Sequence, residues 1–538
     1  MTKMTGGQAL AKSLYREGVR VIFGLPGVQL YHLMDGLHGE PGIRFITVRH
    51  EQATAYMADG YARAGGQVGT ALMVPGPGLL NASAAISTAY SASSPVLVVS
   101  GQIERDHIGG DSGMLHEVND QIDAISPVTK WAHRIMDPAD VPNAVHEAFF
   151  HLKNGRPRPV EIEIPPETLA EEADVELMEP EEPRQIVAPS EQIEAAAQAL
   201  AEAKNPLIWA GGGVISSQGS EALTKLAEYL QAPVVMTAEG KGAISDHHPL
   251  SLGALWLRND TIAKQDKGHD VIFAVGTRLV TANWIEGQKV IQVDIDDEEL
   301  GRNYENTMGI QGDAKRTMED LVTALAAKMP QRDDRSSDVA AEKAQRSDDI
   351  IKREPQGELL DAVRRAMPED GILVSGMTQL GYYSRAHFPV YEPRTFITSS
   401  YSGNLGYAYP TALGAKVAQP DKAVVCLSGD GGFMFNSQEM STAVAHGINV
   451  VVVVFNDNAY GNVKRDQMNQ FGGRTIGVEL HNPDFVKLAE AYGAKGFVAN
   501  GPAELESTLK EALTLDAPVL IEVPVGPMPS PFFRQPGE

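Results

Sequence analysis

Short apolar runs ending in or beside glycine recur along the whole chain, each followed by a stretch of helical period. "VRVIFGLPG", "IRFITV", "GTALMVPGPG" and "PVLVVSG" come first; "PLIWAGGG", "PVVMTA", "VIFAVG" and "VIQVDID" follow; "GILVSG", "AVVCLSGDG" and "INVVVVVFND" close the series. Runs this short and this continuous in Val, Ile and Leu read as strands buried on both faces. Parallel neighbours need a long crossover, usually a helix. The alternation therefore predicts an α/β chain of parallel sheets covered on both faces, with ligands bound at the carboxyl edges of the strands.

A chain of 538 residues is too long for one hydrophobic core, and its length fits about three domains. Two charged segments without a sustained apolar period, 165–190 and 326–357, read as linkers. They divide the chain into 1–170, 190–330 and 355–538. The first and last parts echo each other: both contain a strand, a Gly-rich turn, an Asn, a small-residue helix and a strand. That echo has two readings, a related pair of domains or the common look of any two βαβ units.

The net charge of −25 is spread along the chain, which disfavours nucleic acid and anionic membrane surfaces but leaves a small anionic substrate open. The most apolar run, "INVVVVVF", is far shorter than the roughly 20 residues that span a bilayer, and the first residues lack the apolar core of a secretory signal. The lone cysteine, Cys426, lies in a strand-like run and reads as a core residue. The default location is cytoplasmic.

The sharpest motif is "GDGGFMFNSQEM" (429–440), followed by "FNDNAYG" (455–461). Gly429, Gly431 and Gly432 let the backbone approach a phosphate at the start of a helix. Asp430 in that turn would repel a diphosphate unless a divalent cation lay between them. Asp457, twenty-seven positions on and at the end of the next strand, brings a second carboxylate to the same sheet edge. Mg²⁺ takes such carboxylates together with carbonyls, water and phosphate oxygens.

At these residues the sequence resembles the thiamine diphosphate enzymes of the acetolactate synthase, pyruvate decarboxylase and benzaldehyde lyase type, over essentially the whole chain. The resemblance implies pyrimidine-binding, middle and diphosphate-binding domains, each a doubly wound parallel sheet, with acetolactate synthase large subunits as the nearest type. It implies Asp430, Asp457 and the Ala459 carbonyl as Mg²⁺ ligands. "RHEQATAYMADGYAR" resembles the family's glutamate segment, making Glu51 the carboxylate that activates the cofactor through its aminopyrimidine. "MVPGPGLLNAS" places Pro77 and Asn81 near the pyrimidine; "SGNLGYAYP" makes Gly403 a carbonyl partner of the 4′-amino group and Leu405 the wedge between the rings. The implied reaction is carboligation or decarboxylation of a 2-oxo acid through a thiazolium ylid, with a lyase acting on a 2-hydroxy ketone or 2-hydroxyacyl thioester as the alternative. The implied assembly is a homodimer or dimer of dimers with the site between subunits.

Several segments depart from the synthases. "GTRLVTANWIEG" (276–287) replaces the stretch that accompanies FAD, which counts against FAD. His116 stands where those relatives carry Gln, suited to a substrate carboxylate or a proton shuttle, with a packing role as the alternative. His50, before the glutamate, reads as structural. Val28 replaces a glycine and would narrow the donor pocket. Asn462, Lys464, Arg465 and Asp466 replace an apolar stretch, giving either a more polar entrance or a solvated helix face.

Overall fold

The computed structural model describes residues 1–254, 268–280, 285, 287–304, 307–349 and 353–530. β1 (Thr2–Thr5) precedes a six-stranded parallel sheet of β2 (Val21–Gly24), β3 (Arg44–Thr47), β4 (Gly69–Met73), β5 (Val96–Gly101), β6 (Trp131–Arg134) and β7 (Val160–Ile164), in the order β3-β2-β4-β5-β7-β6. β8 (Glu172–Val175) then returns antiparallel to β1, so part of the first expected linker is tied to the chain's start. A second sheet holds β9 (Pro206–Ala210), β10 (Val234–Met236), β11 (Ser251–Ala254), β12 (Val271–Val275), β13 (Lys289–Asp294) and β14 (Thr307–Gln311), ordered β11-β10-β9-β12-β13-β14. The third holds β15 (Ile372–Ser375), β16 (Phe396–Ile397), β17 (Val424–Gly429), β18 (Val451–Asn456), β19 (Lys495–Val498) and β20 (Val519–Pro524), ordered β16-β15-β17-β18-β20-β19.

The α/β architecture of three parallel-sheet units is the one expected. Counted along the chain, the first and third sheets share one strand order, so the echo in their sequences is a shared topology rather than a chance likeness. In both, the order reverses between the unit's first and third strands, and ligands of open α/β sheets bind at such a point. The turns that follow β4 and β17, "PGPG" and "GDGG", lie there.

The outer two units share one core. The helix Glu51–Gly65, capped by the His50 ring at its start and by left-handed Gly66 at its end, crosses the helix Ala408–Ala418 at backbone contact. A Cβ on Gly60 would stand 2.0 Å from the Thr411 carbonyl oxygen, and one on Gly414 1.9 Å from that of Met57. Around the crossing, Tyr56, Met57 and Ile86 pack in one continuous cluster with Tyr409, Leu413 and Phe433. The middle unit has its own core and is tied to the others by arginines. Arg63 reaches Glu239 at 2.6 Å, and Arg156 reaches Asp294 and Asp296 at 2.7 and 2.9 Å. The second expected linker carries a helix, Ser336–Asp349.

Gly60→Ala and Gly414→Ala should each destabilise the chain by about 1–3 kcal/mol, because the new methyl group has backbone rather than a movable side chain in its way. Urea unfolding of each variant and of the pair checks this. The pair should fall short of additivity, since one separation of the helices relieves both clashes.

Candidate active site

At the end of β17 the chain turns through Gly429 into the short helix Asp430–Met434. A Cβ on Gly432 would make only ordinary contacts, 3.5 Å from the Ser428 hydroxyl and 3.9 and 4.0 Å from Leu405 and Gly406. Leu405, expected as the wedge, and the Gly-rich turn are thus brought together. Gly403 sits beside them in the left-handed conformation. Asn404 donates to the Ala84 carbonyl at 3.1 Å, fastening this loop to the helix Pro77–Ser91 of the first unit.

Asp430 and Asp457 face each other across the carboxyl edges of β17 and β18. Burial holds Asp430 above the usual carboxylate range, and Asp457 is pushed up to about 6 by burial and then by the charge of Asp430. Asn482 donates to Asp430 at 2.6 Å and to the Asn456 side-chain oxygen at 2.9 Å. The chain at 458–460 is pinned by backbone bonds from Leu480 to Asn458 and from Tyr460 to Val478, which fix the Ala459 carbonyl. Gly461 is needed beside this pair, because a Cβ there would lie 2.2 Å from an Asp457 carboxylate oxygen. Among the described residues no group of three or more His, Cys, Asp and Glu side chains is arranged for a metal. Two carboxylates and a carbonyl are a set that a hard divalent cation can take only with an outside oxygen ligand, such as a phosphate.

Glu51 opens its helix, and its Oε2 accepts from Asn81 at 3.0 Å. Pro77 occupies the first turn of the helix that carries Asn81. The next residue, Gln52, accepts from Asn436 at 3.1 Å, and Asn436 also donates to the Gly406 carbonyl at 2.8 Å. Two clusters result, one around Glu51 and one around Asp430 and Asp457. Among the described residues no hydrogen bond or ion pair joins Glu51 to 429–432 or 456–461.

Three family models match: the N-terminal TPP binding domain of thiamine pyrophosphate enzymes over residues 4–124, their central domain over 193–321 and their C-terminal TPP binding domain over 376–523. The chain is 35% identical to a probable acetolactate synthase large subunit of Methanocaldococcus jannaschii, covering 97% of this chain and 92% of that one. It is also 35% identical to the acetolactate synthase large subunit of Haemophilus influenzae (96% and 93% covered) and to a probable 2-ketoarginine decarboxylase of Pseudomonas aeruginosa (97% and 94% covered). The chain belongs to the thiamine pyrophosphate enzyme family. It is acetolactate synthase-like, and no described helix is long and apolar enough to cross a membrane.

In this thiamine pyrophosphate enzyme the His116 loop lies over the "PGPG" turn. Gly76 is left-handed, and a Cβ on it would lie 2.1 Å from the His116 carbonyl oxygen. The His116 ring meets the Gln29 side-chain oxygen at 3.1 Å, one residue from the half-exposed Val28. The helix Gly461–Gln470, which carries the residues weighed as a polar entrance, has no buried residue; Lys464 pairs with Glu479 at 2.7 Å, and Arg465 donates to Gln379 at 2.8 Å. In the middle unit, Gly211 and Gly213 pack directly on Gly276, so the "AGGG" run serves as a tight turn there. Residues 281–284 and 286 of the segment weighed against FAD lie outside the described residues.

Sequence reasoning missed the support beneath the "PGPG" turn. Gln121 accepts from the Gly76 N–H at 2.8 Å and donates to Ser100 at 2.9 Å and Glu163 at 2.7 Å. Glu163 also takes Gln102 at 3.1 Å and the Arg134 guanidinium. Glu161, on the same face of β7 and fully buried, accepts from Ser100 at 2.6 Å. Burial and then the neighbouring Glu163 charge hold Glu161 well above the usual carboxylate range.

A group that binds its proton more tightly when folded makes unfolding release that proton. Wild-type stability should therefore fall as pH rises above the ordinary glutamate value of 4.5, until the folded group itself ionises. Glu161→Gln removes this loss. Its stability relative to wild type should grow as pH rises above 4.5, in matched urea unfolding curves taken in steps of about one pH unit.

Proposed function

We propose that the chain is a thiamine diphosphate- and Mg²⁺-dependent carboligase or decarboxylase of 2-oxo acids, with 1–170, 190–330 and 355–538 as its pyrimidine-binding, middle and diphosphate-binding domains. The observation that carries this is Glu51, presented at a helix start with Oε2 held by Asn81 and Oε1 without a hydrogen-bond donor among the described residues. Asp430 and Asp457 support the metal half: a buried carboxylate that raises the proton affinity of a partly buried one is an arrangement relieved by a divalent cation. When bound, thiamine diphosphate supplies a carbon nucleophile for the 2-oxo acid carbonyl and an electron sink for loss of CO₂.

The chain's own residues would do the rest. Asp430, Asp457 and the Ala459 carbonyl would hold Mg²⁺, and the N–H groups of 429–432 the diphosphate. Pro77, Gly403 and Leu405 would shape the bed of the two rings. Glu51 would take and return a proton at Oε1, while Asn81 keeps its carboxyl group in one orientation. His116, Val28, Asn462 and Lys464 are assigned to the substrate side. The relatives' names include both a synthase and a decarboxylase at equal identity. Loss of CO₂ from a 2-oxo acid is the step the two kinds of reaction have in common. The location we assign is the cytoplasm, where a single buried thiol such as Cys426 stays reduced.

The lack of a direct bond between the two clusters supports assembly as a homodimer or dimer of dimers with the site between subunits. In one chain the segments that carry the site expose apolar side chains, among them Leu80 (45% exposed), Leu115, Tyr401 and Phe435 (48% exposed). Such a surface is suited to a second copy, which would set its own Asp430–Asp457 cluster opposite Glu51.

Glu51→Gln should lower kcat by about 10²-fold or more while thiamine diphosphate still binds. The assay is CO₂ release from a panel of 2-oxo acids, with the organic products identified. A 2-hydroxy ketone product names a carboligase, an aldehyde a decarboxylase, and no CO₂ from any member favours the lyase. Mixing inactive Glu51→Gln with inactive Asp457→Ala should restore part of the activity, because the mixed dimer keeps one complete site. No restoration after verified subunit exchange would count against a site between subunits.

A further inference from the structure

A cavity of about 610 Å³ lies where the three units meet, away from the clusters described above. Its size falls within the range of small-molecule sites. Its walls come from the C-terminal end of the helix Glu51–Gly65, from the segment after the helix Pro77–Ser91, from the helix Gly212–Ser216 and from Arg394 and β16. Phe149, Leu152 and Phe396 give it an apolar side.

The charged residues around it are unequally matched. Lys241 is 3% exposed, and its only described contact is the Phe396 ring, 5.3 Å from its ammonium. Burial pulls its pKa down, opposed only by Asp246, and Lys241 in turn helps burial push His387 down to about 4. Arg394 is left-handed and donates to two carbonyls, Arg63 at 3.1 Å and Ile215 at 3.2 Å. Neither cation has a carboxylate in salt-bridge reach among the described residues. The cavity's inner carboxylates are already engaged, Glu239 by Arg63 at 2.6 Å and Glu17 by Lys153 at 3.1 Å and His146 at 3.0 Å. Glu181 and Glu182 belong to the linker at the rim.

A buried ammonium without an acid is unfavourable, and two cations beside open space define where an anion's charge would be compensated. We infer that this cavity binds a small organic anion, its carboxylate or phosphate head at Lys241 and Arg394 and its apolar body against Phe149, Leu152 and Phe396. An occupant touches all three units and so stabilises their arrangement. The inference stands independently of the 2-oxo acid reading.

The probes are 3-methylbutanoate and isobutyl phosphate, with neutral 3-methylbutanamide as control, added to the cofactor-loaded full chain. Ligand-observed NMR and thermal unfolding are the readouts. At least one anion should bind saturably and raise Tm, and the tighter of the two identifies the head group; the amide should do neither. Because a carboxylate can also enter the substrate site, Lys241→Met is decisive. It should weaken anion binding by about tenfold or more while leaving turnover intact. Lys241→Gln repeats the test if the methionine variant does not fold. Unchanged binding in either folded variant, equal binding of the amide, or no binding of both anions would overturn the site.

Discussion

Backbone contact between the helices Glu51–Gly65 and Ala408–Ala418 is the constraint on which the remaining geometry depends. With Gly60 and Gly414 at the crossing, the first and third units approach closely enough for their cores to merge. That merger sets the start of the glutamate helix against the third unit, where Gln52 and Asn436 meet and Asn436 holds Gly406. The loop that carries Leu405 is thereby positioned relative to Glu51 through backbone and amide contacts rather than through exposed ion pairs, which contribute little. Buried Glu439 reinforces the join: it accepts from the Arg49 N–H at 3.2 Å, and burial lifts it to about 7. A one-residue shift of either helix would place a side chain at the crossing and undo these contacts together.

Much of this was legible in the sequence because the same residues state both the fold and the chemistry. Continuous apolar runs such as 451–455 can only be strands covered on both faces, and the glycines after them mark the strand ends where sites form. Asp430 and Asp457 were readable as a pair because a strand–helix–strand unit returns to the same edge after such an interval, and Glu51 and Asn81 prove to be hydrogen-bonded. His50 also acts as a structural residue, capping the helix through its ring nitrogen.

What escaped the sequence was polar and buried. "VEIEI" alternates apolar and acidic residues and so has the pattern of a strand with one wet face, yet Glu161 and Glu163 are fully enclosed. Only the third dimension brings Ser100, Gln102 and Gln121 to cover them, from segments some sixty and forty residues away in the chain. Asn482 was missed for the same reason, since an isolated Asn in a loop carries no period or spacing to mark it. The substrate-side charges were ambiguous from the opposite cause. Lys464 and Asp466 have partners close in sequence or on an adjacent loop, so their pattern fits a solvated helix as well as an entrance.

The glutamate helix also connects regions that the sequence keeps apart. At about 1.5 Å per residue its fifteen residues span about 22 Å, with Glu51 at one end and Arg63 and Gly66 at the other. Arg63 is bonded to Glu239 of the middle unit, and Arg394 of the third unit rests on Gly66 and donates to the Arg63 carbonyl. The middle of this helix is packed at backbone contact against the third unit. The three-unit junction at Arg63 and Arg394 and the bond between Glu51 and Asn81 therefore lie at opposite ends of this helix. Arg63, which joins the first unit to the middle one, and Glu51, the residue assigned to proton transfer, are thus carried by one helix.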